Sequence, residues 1–276
     1  MNPILISVSP AARAIGKQYF DLPGITELMN RLLQESVVDG CEFQNLEEWS
    51  AEEPPRDERE KRFTAWNASP KYTLDEITAL LRHAQLPVLS VHAKRDVGIC
   101  LCSGHAEDIA EGKRLMRESL FLAQEVSAPV CVFHLWDTWK EDFALGLLRD
   151  VLHEIAPQYP RVKASVENIP TYLTGFTPFE LVEQFEWITL DLGWVALYNE
   201  LDRFESLKER IVNVHLRGRL GDGEWVLDDA PFSFYEALDI VRGEWGYSGL
   251  LTMEPRGLRD GDWDNFVAAM STLRER

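Results

Sequence analysis

Four short apolar runs in the second half of the chain decide its fold: VKASVE at 162–167, WITLD at 187–191, IVNVH at 211–215 and GLLTME at 249–254. Each closes on a polar, metal-capable side chain, namely Glu167, Asp191, His215 and Glu254. The first three of these recur at intervals of 24 residues, and the last follows after 39. A strand of about five residues, a helix and two short turns need roughly 24 residues, and the longer gap leaves room for an extra loop. Continuous Val/Ile/Leu runs mark parallel strands covered on both faces. A repeating β-α unit with a carboxylate or imidazole at each strand's C-terminal end is how a (β/α)8 barrel assembles a site. The expected fold is therefore α/β, a (β/α)8 TIM barrel, with residues 1–276 forming a single domain.

The first half supplies the remaining strands. Residues 3–8 read as strand one, VVDGCEFQ at 37–44 as strand two ending near Glu42 and Gln44, PVLSVHA at 87–93 as strand three ending near His92, and APVCVFHLW at 128–136 as strand four with His134 near its end. Helices are expected over 24–36, 73–84, 104–126, 141–156, 177–185, 196–208, 232–242 and 263–275. Thr73 with Glu76 three residues on is a capping-box signature. NLEEWSAEEPPRDEREKR at 45–62 is crowded with charge and carries a Pro pair. It leaves the barrel on the face where strands end, as a lid over the site or as a solvated surface segment. GRLGDGEWVLDDAP at 218–231 reads as a long Gly/Asp-rich loop of the kind active sites use.

Composition narrows the function classes. A length of 276 residues suits one barrel of about 250 residues, and a hydrophobic content of 45% fills a sizeable core. No apolar run approaches the roughly 18 residues of a membrane span. MNPILISVSP at the N-terminus lacks a basic leader and cleavage site, so a cytoplasmic protein is expected. Cys41, Cys100, Cys102 and Cys131 sit in strand-like apolar contexts and read as reduced core thiols. A formal charge of −18 repels polyanions, which argues against nucleic acid as a partner and leaves small molecules. A homo-oligomer is compatible with the sequence.

Glu167, Asp191, His215 and Glu254 form a mixed oxygen and nitrogen set that suits Mn2+, Mg2+, Co2+ or Zn2+ with positions open to substrate oxygens. The carboxylate majority leans towards Mn2+ or Mg2+. The chain resembles the xylose isomerase-like TIM-barrel superfamily, in the sugar phosphate isomerase/epimerase branch that also contains the endonuclease IV type. The resemblance runs through Val91-His92, Phe133-His134, Val166-Glu167-Asn168, Asp191-Leu192-Gly193, Val214-His215-Leu216-Arg217 and Met253-Glu254-Pro255. It implies one divalent ion, Mn2+ foremost, held by Glu167, Asp191, His215 and Glu254. It also implies that Glu167 and Glu254 are the catalytic acid/base pair on opposite faces of the substrate. His92, His134 and Arg217 are implied as contacts to a carbohydrate or sugar acid.

Departures from the family pattern matter too. Trp194 stands where many relatives carry a histidine three residues after the strand-six aspartate, and an indole cannot ligate metal. The acidic residue common after the strand-seven histidine is missing from Leu216-Arg217-Gly218. Both losses argue against the multi-metal endonuclease chemistry and for a single ion. Lys94, Arg95, Arg217, Arg219 and Arg256 follow strand ends on one face. They are candidates to neutralise an anionic substrate, or to pair with Asp96, Asp222, Asp228 or Asp229. Trp136, Trp139, Trp194 and Trp225 lie in or beside the same loops, for stacking on a sugar ring or for loop packing. The expected activity is a metal-dependent sugar isomerase or epimerase working through an enediolate. A dehydratase of the same fold, of the inosose type, and a non-catalytic sugar- or partner-binding barrel are the alternatives.

Overall fold

Strand alternation sorts each of these runs into an outward apolar set and an inward polar one. The computed structural model describes residues 2–17, 22–45, 72–228 and 230–276. Its strands are β1 Ile4–Ser7, β2 Gly40–Gln44, β3 Val88–His92, β4 Val130–Phe133, β5 Lys163–Glu167, β6 Trp187–Asp191, β7 Ile211–Gly221, β8 Glu224–Val226 and β9 Leu250–Arg256. Strands β1 to β7 and β9 pair in parallel, each with the next, and β9 joins β7 to β1. The result is a closed eight-stranded (β/α)8 barrel, with β8 as a ninth strand outside it.

Helices cover the outward face. They include α1 Leu22–Glu35, α2 Leu74–Arg82, α3 Asp96–Leu101, α4 Ala106–Glu125, α5 Leu145–Ile155, α6 Pro178–Val182, α7 Leu192–Tyr198, α8 Phe234–Asp239 and α9 Trp263–Glu275. In α1 the buried residues Ile25, Leu28, Met29 and Leu32 fall at helical spacing, and α9 does the same with Trp263, Phe266, Met270 and Leu273. These stripes meet Ile4, Ile6, Cys41, Phe43, Val91, Phe133, Val166 and Leu190 in one core layer around the barrel. The capping box expected at Thr73 and Glu76 is formed, and the same device opens α6 at Thr177 and α8 at Ser233. All four cysteines are buried and unpaired. Among the described residues no helix is long and apolar enough to cross a membrane.

The barrel interior is layered. At its floor Val130, Val132 and Val212 cluster with Trp187 and Leu250. Above them lies a hydroxyl and amide layer: Ser165 and Thr189 share a hydrogen bond of 2.7 Å, Thr252 donates to Asn213 at 2.8 Å, and Ser90 donates to Glu42 at 2.8 Å. Charged side chains at the strand ends form the top layer.

Two expectations need correction. The helix placed at 196–208 begins at once after β6, with Asp191 as its N-cap, and stops at Asn199, whose φ of 51° is left-handed. A short helix Leu201–Phe204 and a tighter turn Glu205–Arg210 follow. The stretch expected as a loop over 218–231 is not loop as far as Val226. Strand β7 runs on past the barrel and folds back on β8 as a hairpin. Its tip is Asp222-Gly223, both at positive φ (51° and 84°), the two-residue turn that an Asp-Gly pair favours. Of the charged segment 45–62, read as a lid or a solvated surface segment, residues 46–62 lie outside the described residues.

Helix α3, absent from the sequence reading, packs its backbone against the segment after β4. A methyl group at Gly98 would sit 2.6 Å from the carbonyl oxygens of both His134 and Trp136. Gly98→Ala should therefore destabilise the protein by about 1–3 kcal/mol, the usual range for overpacking. Urea denaturation checks this, and an unchanged midpoint would contradict the close approach.

Candidate functional site

Because residues two apart on a strand share a face, β5, β6, β7 and β9 deliver Glu167, Asp191, His215 and Glu254 to one end of the barrel. The register fixes their neighbours: Asp191 lies opposite His215, and Arg217 lies opposite Glu254. Glu167, Asp191 and His215 are fully buried, while Glu254 is 6% exposed and lines a pocket. His215 Nδ1 lies 3.4 Å from Glu167 Oε2 and 3.5 Å from Glu254 Oε1. The structure thus brings all four sequence-expected residues together.

Glu42 is the residue that sequence reasoning passed over. It is fully buried on β2, and its Oε2 accepts from Ser90 Oγ, Asn213 Nδ2 (3.1 Å) and His215 Nε2 (3.1 Å). A carboxylate on one ring nitrogen fixes the tautomer and turns the other nitrogen inward. The lone pair of a neutral His215 would then sit on Nδ1, facing two carboxylate oxygens with no hydrogen on either side. A cation between them removes that conflict. In its absence a proton does so: burial lowers the His215 pKa, but Glu42, Glu254 and Glu167 outweigh it and raise it well above the usual imidazole value.

Glu167 collects three imidazoles on one oxygen. His134 Nε2 donates to Oε2 at 3.0 Å, His92 Nε2 lies 3.3 Å away, and His215 follows at 3.4 Å. Burial opposes ionisation of Glu167, but His134 and His215 packed against it hold its carboxyl well below the usual range. His92 Nδ1 donates to the Ala93 carbonyl at 3.0 Å, so a second proton belongs on Nε2, against Glu167. Burial lowers the His92 pKa, and the hydrogen bond and charge of Glu167 raise it overall. Burial holds His134 neutral, at about 4. Asp191 is pushed up to about 7, by burial first, then eased by Arg217 and raised again by the charges of Glu167 and Glu254. Asn168 fixes the β6 end by accepting from Asp191 N at 2.6 Å and donating to its carbonyl.

The residues present fit a divalent ion. Glu167, Asp191 and His215 offer ligand atoms within 4.8 Å of one another, as do Glu42, His215 and Glu254. Glu167 Oε1 and His215 Nδ1 are buried without a hydrogen-bond partner. His92, His134 and Glu167 make a further group of the same span, beyond the one set expected.

Arg217 enters this cluster from β7. Its Nε donates to Asp191 Oδ2 at 2.5 Å, and its Nη2 lies 2.8 Å from Glu254 Oε2. The guanidinium lies over Trp194, 4.6 Å from the ring centre. A pocket with about 660 Å³ of empty space, counted out to its open mouth, is lined by Gln44, His92, Arg95, His134, Arg217, Glu254 and Arg256 among others. Of the other mouth cations, Lys94 turns to Glu118 at 3.4 Å and Arg219 pairs with Asp228 at 2.9 Å. Trp225 and Trp136 are core residues, the first against Phe266 and the second donating to the Pro170 carbonyl. Trp139 stays exposed and stacks on Tyr172.

No family model and no curated protein matches the sequence. Solved structures do match over essentially its whole length. D-allulose 3-epimerase from Methylomonas sp., in complex with D-allulose, is 12% identical with a TM-score of 0.68, covering 100% of this chain and 97% of its own. A sugar phosphate isomerase/epimerase from Parabacteroides distasonis is 12% identical at 0.64, with coverage of 100% and 96%. A 3-keto-D-glucoside 4-epimerase from E. coli is 13% identical at 0.62, with coverage of 100% of both chains. The chain has the fold of the sugar isomerase and epimerase barrels. At such identity the likeness is one of fold, and function has to be argued from the site.

Glu42 anchors that site. Glu42→Leu should lower the unfolding free energy by about 3–5 kcal/mol, the loss typical when one member of a buried ion pair is removed. Glu42→Gln, still able to accept from Ser90 and Asn213, should lose less. Equal denaturation midpoints for Leu and wild type would show that Glu42 does not hold His215.

Proposed function

We propose that this protein is a divalent-metal-dependent isomerase or epimerase of a small sugar or other polyhydroxylated carbonyl compound. The observation that carries the reading is the convergence of Glu167 and Glu254 on His215 Nδ1, a buried nitrogen without a hydrogen-bond partner, with ligand atoms of Asp191 within 4.8 Å of those of Glu167 and His215. These four residues would hold the ion, Mn2+ foremost given three carboxylates and one imidazole. When bound, it would supply charge that acidifies the C–H beside a carbonyl and stabilises the resulting enediolate. The substrate is a small carbohydrate or sugar acid, of a size for the pocket beside Glu254.

Proton transfer falls to the two glutamates. Glu254 lines the open pocket and is placed to take a proton from a bound substrate. Glu167, on the strand two positions round the barrel from β7, is its partner, and must itself carry a proton in order to return one. His92 and His134 line the same pocket and offer hydrogen-bonding edges to substrate hydroxyls. Arg95 and Arg256, exposed at the mouth, favour a substrate that carries a carboxylate or another anionic group. Trp194 contributes by stacking on Arg217.

A second reading, a non-catalytic sugar-binding barrel, draws on the way Arg217 already balances the carboxylates. Exchange of substrate C–H with deuterium, followed by NMR over a panel of ketoses and keto acids with Mn2+, separates the two. The enzyme reading expects exchange that stops on chelation. Glu254→Gln should slow it by about 10²–10⁴-fold, the usual contribution of a general acid or base. Full exchange in Glu254→Gln removes that residue from the chemistry, and no exchange on any substrate favours the binding barrel.

Metal affinity should rise with pH. His215 is raised well above its ordinary value and Asp191 sits at about 7. Below those values both keep protons that an ion must displace, so binding strengthens between about pH 6 and about pH 8 and releases protons. Calorimetry in buffers of different ionisation enthalpy reads both, and pH-independent binding would place the ion elsewhere.

A further inference from the structure

The side chains assigned above to a divalent ion are already engaged by a cation of the chain itself. Both oxygens of Asp191 are taken, Oδ1 by the Trp194 N–H at 3.0 Å and Oδ2 by Arg217 Nε at 2.5 Å. Arg217 Nη2 stands 2.8 Å from Glu254 Oε2 and 3.6 Å from Glu167 Oε1. One guanidinium therefore spans the three carboxylates of the expected ligand set. Its seat is built, not incidental. The ring of Trp194 covers one face of the guanidinium. At Gly193 a Cβ would come within 2.9 Å of Arg217 Cδ and 3.2 Å of Asp191 Oδ1, so only glycine leaves room for the arginine stem.

We propose that Arg217 is a tethered competitor for the metal: it holds the carboxylates together in the metal-free protein, and a divalent ion reaches Asp191 only as the guanidinium leaves it. This rests on the metal reading of the site. Oxygens coordinating an ion at about 2.0–2.2 Å cannot also keep short ion pairs with a guanidinium on the same side. Two cations a few ångströms apart at a buried site also repel strongly. The displaced guanidinium has somewhere to go, because Arg217 already lines the open pocket with Gln44, Arg95 and Arg256. There it would meet a substrate oxygen or carboxylate. Metal and substrate would then favour one another, since each stabilises the outward arginine.

Mn2+ affinity, measured by calorimetry and by EPR without substrate, tests this in wild type, Arg217→Lys and Arg217→Gln. Removal of the charge in Arg217→Gln should tighten binding on the order of tenfold to a hundredfold, with Arg217→Lys close to wild type. Equal or weaker binding by Arg217→Gln overturns the proposal. A second measurement needs no folded Gln variant. In wild-type protein the Arg217 Nε–H resonance, assigned by its absence in Arg217→Lys, should shift and lose exchange protection when Zn2+ saturates the site. An unmoved, protected resonance at saturation overturns competition. Failure of all three proteins to bind Mn2+ sinks the metal reading with it. Equal binding together with Mn2+-dependent C–H exchange sinks only the role of Arg217.

Discussion

Burying four carboxylates at one end of a barrel is the constraint on which the rest of this protein depends. Glu42, Glu167 and Asp191 are fully inaccessible and Glu254 nearly so. Charges in such a place persist only when paired and hydrogen-bonded. The chain answers with Arg217, with the imidazoles of His215, His92 and His134, and with neutral donors to Glu42 from Ser90 and Asn213. A patch of excess negative charge in the interior is what a divalent ion would find favourable, and the orphaned atoms point to the same place. The formal charge of −18 over the whole chain adds a background in the same sense.

The barrel makes this arrangement possible because it separates two demands. Outward residues such as Val91, Val166 and Leu190 pack against helices and supply the hydrophobic stabilisation. Inward residues are then free to be polar, layer by layer, from valines at the floor through hydroxyls to charges at the mouth. The middle layer fixes the upper one: Ser90 and Asn213 hold Glu42, and Glu42 holds His215. A change to one inward strand residue is therefore felt by its neighbours around the ring.

The likeness to sugar epimerases at 12–13% identity fits this division. Outward positions need only be apolar and of suitable volume, so they drift freely. What an individual barrel does is set by the strand-end residues and the loops around them. Here the strand-seven end, His215-Leu216-Arg217-Gly218, and the long hairpin of β7 and β8 give the mouth its own form.

The fold and four strand-end residues were legible in the sequence for a simple reason. A repeating β-α unit spaces its strand ends evenly along the chain, so a polar residue closing each apolar run marks the same point in every unit. Local chemistry was legible too, as in the capping box at Thr73, although the Asp222-Gly223 turn signal was read as loop. Glu42 was not singled out, because a single glutamate in GCEFQ carries no spacing signal. Its importance comes from Ser90, Asn213 and His215, up to 173 residues away. The seat of Arg217 was likewise beyond the sequence. Spacing says which residues reach the mouth of a barrel, but only the register of β7 against β6 and β9, and the bare Cα of Gly193, decides that a guanidinium lies among the carboxylates.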